Sequence, residues 1–596
     1  RTMATSGPLT VDYREYGTAY RDERATPGYY SVRLDKYGIL AEAAATARTS
    51  AERYTFPAGK GHILLNLGEG LTNESGAAVR RVSATEGMKL LGTFCYNPQK
   101  VFPVYFVLRV TKTPSSSGYW KKQRPMTGVE AEWTPDNGRY KLYTEYGREL
   151  AGDDVGYWFT FDDLRAGEQV EVRMGISYVS TENARRNLDA EQPAGTSFDA
   201  IRGAARTRWN DDLSRIRVED GTAEQQTVFY TALYHALIHP NLLSDVNGEY
   251  PLMEHSGEVG VTDGERYTVF SLWDTYRAAM PLMTILHPER MPDIVRTMLA
   301  MADEQGRLPV WHLWGNETDC MVGNPGIPVV ADAIVKGIEG FDREKAFEAI
   351  KKTAMNPDRG NGLRMKYGYI PCDLFNEAVA YDMEYALADG AAARAAEALG
   401  RTEEANYFTE RSHSYRNCFD PATRFMRGRD SKGGWRTPFN PFASTHRADD
   451  YCEGNAWQYT WLVPHDVEGL VGCFGGREEM LGKLDSLFTV SSVVEGAETS
   501  PDISGLIGQY AHGNAPSHHV LYLYTMLGQP WKTADKVREV LTTLYHDRPD
   551  GLSGNEDVGQ MSAWYVLSSL GMYEAEPAGG RYWFGSPLFD RAEVKV

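Results

Sequence analysis

The hydrophobic period changes along this chain, and that change constrains the fold more than any other feature. Up to about residue 180, apolar and polar residues alternate and break at turn residues. Period two is the signature of half-buried strands. The runs HILLNLGEG (62–70), MKLLGTFCYN (88–97), KVFPVYFVLRVTK (100–112), YWFTFDD (157–163) and EQVEVRMGISYVS (168–180) read as strands. Many short strands separated by Gly, Pro and Asp predict an antiparallel β-sandwich. From about residue 222 the period is helical: Val228, Ala232, Leu233, Ala236 and Leu237 recur every three to four positions. Similar segments, EAVAYDMEYALADGAAARAAEAL, REEMLGKLDSLF, SHHVLYLYTML, KTADKVREVLTTLYH and QMSAWYVLSSL among them, are joined by Gly- and Pro-rich loops. They show no sequence period, so a solenoid is disfavoured. About a dozen such antiparallel helices can close as two concentric rings of six.

The expected architecture is therefore a multidomain α+β chain. It has a β-sandwich over 1–180, a helical linker over 181–221 (SFDAIRGAARTRWNDDLSRIRV reads as one connecting helix) and a helical domain over 222–596. A chain of 596 residues exceeds what one core supports. Its 62 Lys plus Arg against 81 Asp plus Glu give a net charge of −19, which repels nucleic acid and anionic membranes. No run of about 18 apolar residues spans a bilayer. The six cysteines, Cys95, Cys320, Cys372, Cys418, Cys452 and Cys473, form no CxxC pair and no disulfide framework.

Five loops concentrate polar and aromatic groups. FSLWDTYRAAMPL sets Trp273, Asp274 and Arg277 at a helix start, where the plain reading is an N-capping Asp with an i, i+3 Arg partner. LPVWHLWGNETDCMVGN carries Trp311, His312, Trp314, Asn316, Glu317 and Asp319, too polar and aromatic for a core segment. ADDYCEGNAWQYTWLVPHD places Glu453 at a helix start, either as a dipole-stabilised acid or as a carboxyl whose pKa is raised beside Trp and Tyr. PDISGLIGQYAHGNAPSHH offers Asp502, Gln509, His512, Asn514, His518 and His519. Its oxygen atoms suit a hard cation such as Ca²⁺. HExxH spacing is absent, so the histidines read as core or hydrogen-bonding residues. Finally, GNEDVGQMSAWYVLSSLGMY stands Asn555, Glu556 and Asp557 on a glycine-flanked loop before an apolar helix. An ionised carboxylate there can serve as a general base toward water. Paired with a raised-pKa acid elsewhere, it makes the two-carboxylate arrangement of glycoside hydrolysis.

Four of these stretches, in this order, make the chain resemble glycoside hydrolase family 92: FSLWDTYRAAMPL, EGNAWQYTW with VPHD, GLIGQYAHGN with PSHH, and GNEDVGQMSAWYVLSSLGMY. The family comprises calcium-dependent exo-acting α-mannosidases that invert the anomeric centre. The resemblance implies a β-sandwich followed by an (α/α)6 toroid. It implies Glu453 as general acid and Asp557 as general base, with Asn555 at a position where some members carry an acid. Trp273, Asp274, Trp311, His312, Trp314 and Glu556 are implied to line the terminal-mannose subsite. Gln509 and Asn514 are implied as calcium ligands. Relatives commonly carry an acid where Ala515 stands. The expected substrate is a mannose-containing N-glycan or mannan, the expected state a monomer, and the expected location periplasmic, cell-surface or secreted. Three other readings are a mannosyl-phosphodiester hydrolase, a non-catalytic glycan-binding protein and a polysaccharide lyase. Glu453 argues against the first and the pair Glu453 and Asp557 against the second. The scarcity of Lys and Arg in these loops argues against the third.

Overall fold

A computed structural model describes residues 1–68, 74–81, 85–92, 101–123, 139–144 and 149–596. The chain divides into two compact units: 1–212 with 242–266 and 314–318, and 213–241 with 267–313 and 319–596.

In the first unit two antiparallel sheets share one core. The smaller runs in the order Thr2–Ser6, Gly59–Asn66, Val155–Leu164, Ser116–Gln123, Arg139–Thr144. The larger has nine strands and sets Val101–Val110 and Glu168–Ser177 side by side near its middle. The expected strands all form. Those at 62–70 and 88–97 are seen as Gly59–Asn66 and Thr85–Gly92; residues 69–70 and 93–97, Cys95 among them, lie outside the described ones. Alternation does the sorting. Tyr157, Phe159 and Phe161 join Ile63, Leu65, Phe106 and Val172 between the sheets. Trp158 points to the other face, with Leu64, Trp120 and Val11. Two tryptophans lie over glycines of the neighbouring strand, because the register pairs Gly118 with Trp158 and Trp120 with Gly156. A Cβ on Gly156 would stand 2.1 Å from the Trp120 indole and 2.5 Å from the Leu65 carbonyl oxygen. Two helices, Thr181–Glu191 and Phe198–Leu213, follow the last strand of the larger sheet, and the first packs on it.

The second unit is helical. Thr222 and Gln225 form a capping box at the start of Ala223–Ala236. The long helix Ala378–Ala398 is buried on nearly every side. Its alanines let Gly326–Val335 and Thr402–Ser412 approach closely. All ten residues of Gln560–Ser569 are buried. The expected continuous helix over SHHVLYLYTML is instead broken into the 3₁₀ turns Ala515–Ser517 and Val520–Tyr522 and the short helix Leu523–Met526. His518 and His519 bond the carbonyls of His512 and Trp461, and these tertiary bonds outweigh the periodic pattern. Cys320, Cys372, Cys418, Cys452 and Cys473 are free thiols. No helix among the described residues is long and apolar enough to cross a membrane.

The Trp–Gly pairs set a test: Gly156→Ala overpacks the sheet against both a ring and a backbone oxygen. Chemical denaturation should show a loss of about 1–3 kcal/mol, whereas an unchanged midpoint would mean that the indole moves aside freely.

Candidate active site

Glu453 follows Cys452 in a stretch that lacks regular structure, at φ 49°. The helix it was expected to open begins later: Asn455 is the N-cap of Ala456–Tyr459, closed by Gln458 in a capping box. The dipole reading of Glu453 is therefore replaced. Burial first, then the Asp502 charge, push its carboxyl up to about 8, against a lowering hydrogen bond from Asn514. That bond is one of two, since Asn514 Nδ2 reaches the Glu453 carbonyl at 3.0 Å and its Oε2 at 3.3 Å.

The loop at 554–559 answers why two acids stand together. Glu556 accepts from the backbone N–H of Gly559 and, at 3.3 Å, of Ser562. It thus satisfies orphan donors at the start of Gln560–Ser569, whose N-cap is Gly559 and offers no side chain. Glu556 thereby caps this helix. The Asp557 side chain forms no hydrogen bond or ion pair among the described residues. Burial, then the charges on Glu556 and Asp502, push it up to about 7, rather than leaving it ionised in a merely polar loop as expected. Asp557 and Val558 both adopt left-handed φ, 55° and 57°. For a β-branched valine this is a strained backbone of the kind held at functional sites.

Close backbone contact brings these segments together. A Cβ on Gly513 would meet Ser504 Oγ at 2.0 Å and the Ser553 carbonyl at 2.5 Å, and one on Gly554 would meet the Gly513 carbonyl at 2.5 Å. Asn555 donates to Asp502 at 3.2 Å, and Ser500 donates to its other oxygen at 2.8 Å. Asp502, noted in sequence only as one polar group of its loop, thus bears on both Glu453 and Asp557.

Asp274 is no N-cap. Ser271 holds that position and its hydroxyl donates to Asp274. Arg277, its expected partner, turns to Glu384 on the long helix at 2.6 Å, and Tyr276 donates to the same carboxylate at 3.0 Å. Burial, then the Asp557 charge, hold Asp274 well above the usual carboxylate range. Trp273 is fully buried, with the Arg277 guanidinium 5.4 Å from its ring. The segment at 308–324, expected to be too polar for a core, is mostly buried: Trp311, His312, Asn316 and Glu317 are all inside. Its strand Trp311–Leu313 pairs with Phe270–Ser271, and His312 bonds Thr268 at 3.0 Å. Trp314 is half-buried, packs on Phe102 at 4.6 Å between ring centres, and groups with the first unit.

The histidines behave as structural groups. His512 bonds two tyrosine hydroxyls, and burial first pushes His518 down to about 3 and His519 to about 4. Gln509 is spent on the frame. Its amide oxygen accepts from Asn455 at 3.0 Å and Gln458 at 3.4 Å, while its nitrogen donates to the Ser491 and Val493 carbonyls at 2.6 and 3.1 Å. Its side chain, expected as a cation ligand, thus bonds four partners within this frame. Among the described residues Asn514 Oδ1 accepts only from the Ala515 N–H, at 3.0 Å, which leaves it one lone pair. Among the described residues no three His, Cys, Asp or Glu side chains form a ready metal cage.

Two buried carboxyls, Glu453 pushed up to about 8 and Asp557 to about 7, both feel the charge of Asp502. The model of the glycosyl hydrolase family 92 catalytic domain matches residues 183–596, and that of the family's N-terminal domain matches 1–177. The chain belongs to glycosyl hydrolase family 92. It is a glycoside hydrolase. Its structure is similar to that of a family 92 α-mannosidase of Bacteroides thetaiotaomicron solved with mannoimidazole, with a TM-score of 0.90 and 35% identity over 100% of this chain and 78% of that one. An inverting mannosidase of family 92 from the same organism gives a TM-score of 0.85 and 31% identity, covering 100% and 79%. An uncharacterized secreted glycosidase of Arthroderma benhamiae is 24% identical over 96% of this chain and 72% of its own length.

The buried Arg277–Glu384 pair ties the Asp274 segment to the long helix. Arg277→Met strands the Glu384 charge and should cost about 3–5 kcal/mol in denaturant unfolding, most of it regained in Arg277→Met/Glu384→Leu.

Proposed function

We propose that this family 92 hydrolase is an exo-acting α-mannosidase that releases terminal mannose from N-glycans or mannans with inversion. The observation that carries the reading is the contrast between Glu453 and Asp557: a carboxyl bonded to Asn514 and kept protonated, and a carboxylate with no bonded partner. Two family relatives named as mannosidases support the substrate. In this mechanism Glu453 gives its proton to the glycosidic oxygen as the bond to C1 breaks. Asp557 takes a proton from the water that attacks C1 from the opposite face, and β-mannose leaves. Such a water needs roughly 6.5–9.5 Å between the two carboxyls.

Calcium is the cofactor that the family resemblance implies, and the donor chemistry fits a hard cation. Glu453, Asp502, Asp557 and Glu556 form no ion pair with Lys, Arg or His among the described residues. Asp502 and the free lone pair of Asn514 would hold the ion, with main-chain oxygens and water completing the mixed set such cations accept. When bound it supplies positive charge that orients sugar hydroxyls and water. The same unneutralised charge disfavours a mannosyl phosphodiester, whose phosphate would enter a negative pocket. Retention of both Glu453 and Asp557 disfavours a purely glycan-binding role. The secreted relative supports placement outside the cytoplasm.

Proton NMR of α-mannobiose hydrolysis tests the reading. β-Mannose should appear first, Glu453→Gln and Asp557→Asn should each lose turnover, and a chelator should abolish activity while changing folding less. First appearance of α-mannose would remove Asp557 from the base role. Activity also requires Asp557 ionised and Glu453 protonated. It should therefore rise with pH as the group near 7 loses its proton and fall as the group near 8 does. The narrow bell in kcat/KM reports the coupled pair, and a broad plateau from pH ~5 to 9 would contradict it.

A further inference from the structure

We infer that Gln560 is a positioning residue: through His518 and the backbone of Ala278 and Ala279, its amide sets where Asp557 stands. The inference rests on the base assignment above and concerns a residue outside the acid–base pair.

Gln560 is completely buried at the first position of the helix that follows the Asp557 loop. Its Oε1 accepts from the backbone N–H of Ala278 at 2.9 Å and of Ala279 at 3.2 Å. These residues directly follow the Trp273–Arg277 segment. Its Nε2 lies 2.8 Å from His518 Nδ1. The roles on that ring are determined by its far side. His518 Nε2 faces the His512 carbonyl at 3.0 Å, and a carbonyl only accepts, so Nε2 carries the hydrogen. A neutral ring then leaves Nδ1 as an acceptor, and Gln560 must donate to it. The amide cannot flip without setting donor against donor at Ala278 and an oxygen against the bare ring nitrogen at His518. The histidine is pinned in turn, because Trp564, one turn further along the Gln560 helix, donates to the His518 carbonyl at 2.9 Å. One side chain therefore joins the segment bearing Asp274, the segment bearing Asn514 and the loop bearing Asp557.

The link to Asp557 is short and covalent. Gln560 N–H closes the loop on the Asp557 carbonyl at 3.1 Å. Asp557 and Val558 hold left-handed φ, and Gly559 follows at φ 95°. A strained three-residue loop needs an outside anchor to keep one conformation. Asp557 has no bonded side-chain partner of its own, so its placement depends on the fixed ends of its loop. Glu556 fixes one end by capping the helix, and Gln560 fixes the other.

The test is a mutant cycle. Gln560→Met is made in the wild-type chain and in Asp557→Asn, and hydrolysis of an aryl α-mannoside is followed beside thermal unfolding. In the wild-type chain kcat should fall about 10²-fold, with KM moving little. In Asp557→Asn the same change should alter the residual kcat by less than about twofold, since a device acting through Asp557 has nothing left to place. An equal fall in both backgrounds would mean that Gln560 is merely structural and would overturn the proposal. Gln560→Glu guards against misfolding. It keeps an acceptor for Ala278 and Ala279 but loses the donor to His518, and it should also lose kcat; full activity in this variant would refute the His518 arm. Wild-type turnover in Asp557→Asn alone would instead refute the base assignment, a pattern distinct from either of these.

Discussion

Like charges gathered in a partly buried pocket dominate the second unit. Burial and neighbouring charge, that of Asp502 included, raise the pKa of Glu453 and Asp557, burial raises those of Asp274 and Glu556, and no cation among the described side chains forms an ion pair with any of the five. Carboxylates left alone would move apart or take up protons. That the segments stay together requires a frame whose bonds hold regardless of the charge state. In the proposed mechanism burial and this repulsion are also the source of the chemistry, since they raise the pKa of Glu453 and Asp557 toward neutrality.

The frame is made of neutral amides and bare backbone rather than ion pairs. Gln509 ties Asn455 and Gln458, just beyond the acid, to the loop at 491–493. Gln560 does the corresponding work beyond the base. Neutral amides bond both donor and acceptor without adding to the field, which suits a pocket already charged. Gly513 and Gly554 let the loops touch backbone to backbone, where any side chain would force them apart. A buried ion pair, Arg277 with Glu384, lies a turn behind Asp274 and anchors its segment to the long helix. A divalent cation held by Asp502 and Asn514 would complete the balance of charge in this proposal.

Much of this was legible in the residues. Period-two runs such as 168–180 became strands because each side chain then points to a face that another layer covers. The run over 377–399 became one buried helix because alanine has the highest helix propensity and the smallest side chain. The four motif segments do converge around Glu453 and Asp557, and the histidines are structural, as their spacing indicated. Reading failed where a local motif had two uses. Asp274 resembled a cap and Arg277 its partner, but the guanidinium reached a carboxylate 107 residues away in sequence. Glu556 and Asp557 were indistinguishable as neighbouring acids; the helix took the one whose carboxylate faces its free N–H groups. The 308–324 segment looked exposed because its polar atoms find their partners only in the folded chain.

The sequence by itself determined the element types, the order of strand-rich and helical parts, and the family, because hydrophobic period and motif order are local properties that survive in a string. Only the tertiary structure decided which carboxyls are buried with a raised pKa, which has no bonded side-chain partner and which amides bond within the frame. Those depend on burial and on charges brought from 453, 502 and 557 into one pocket, and an electrostatic field is a function of distance in space, which sequence separation does not encode.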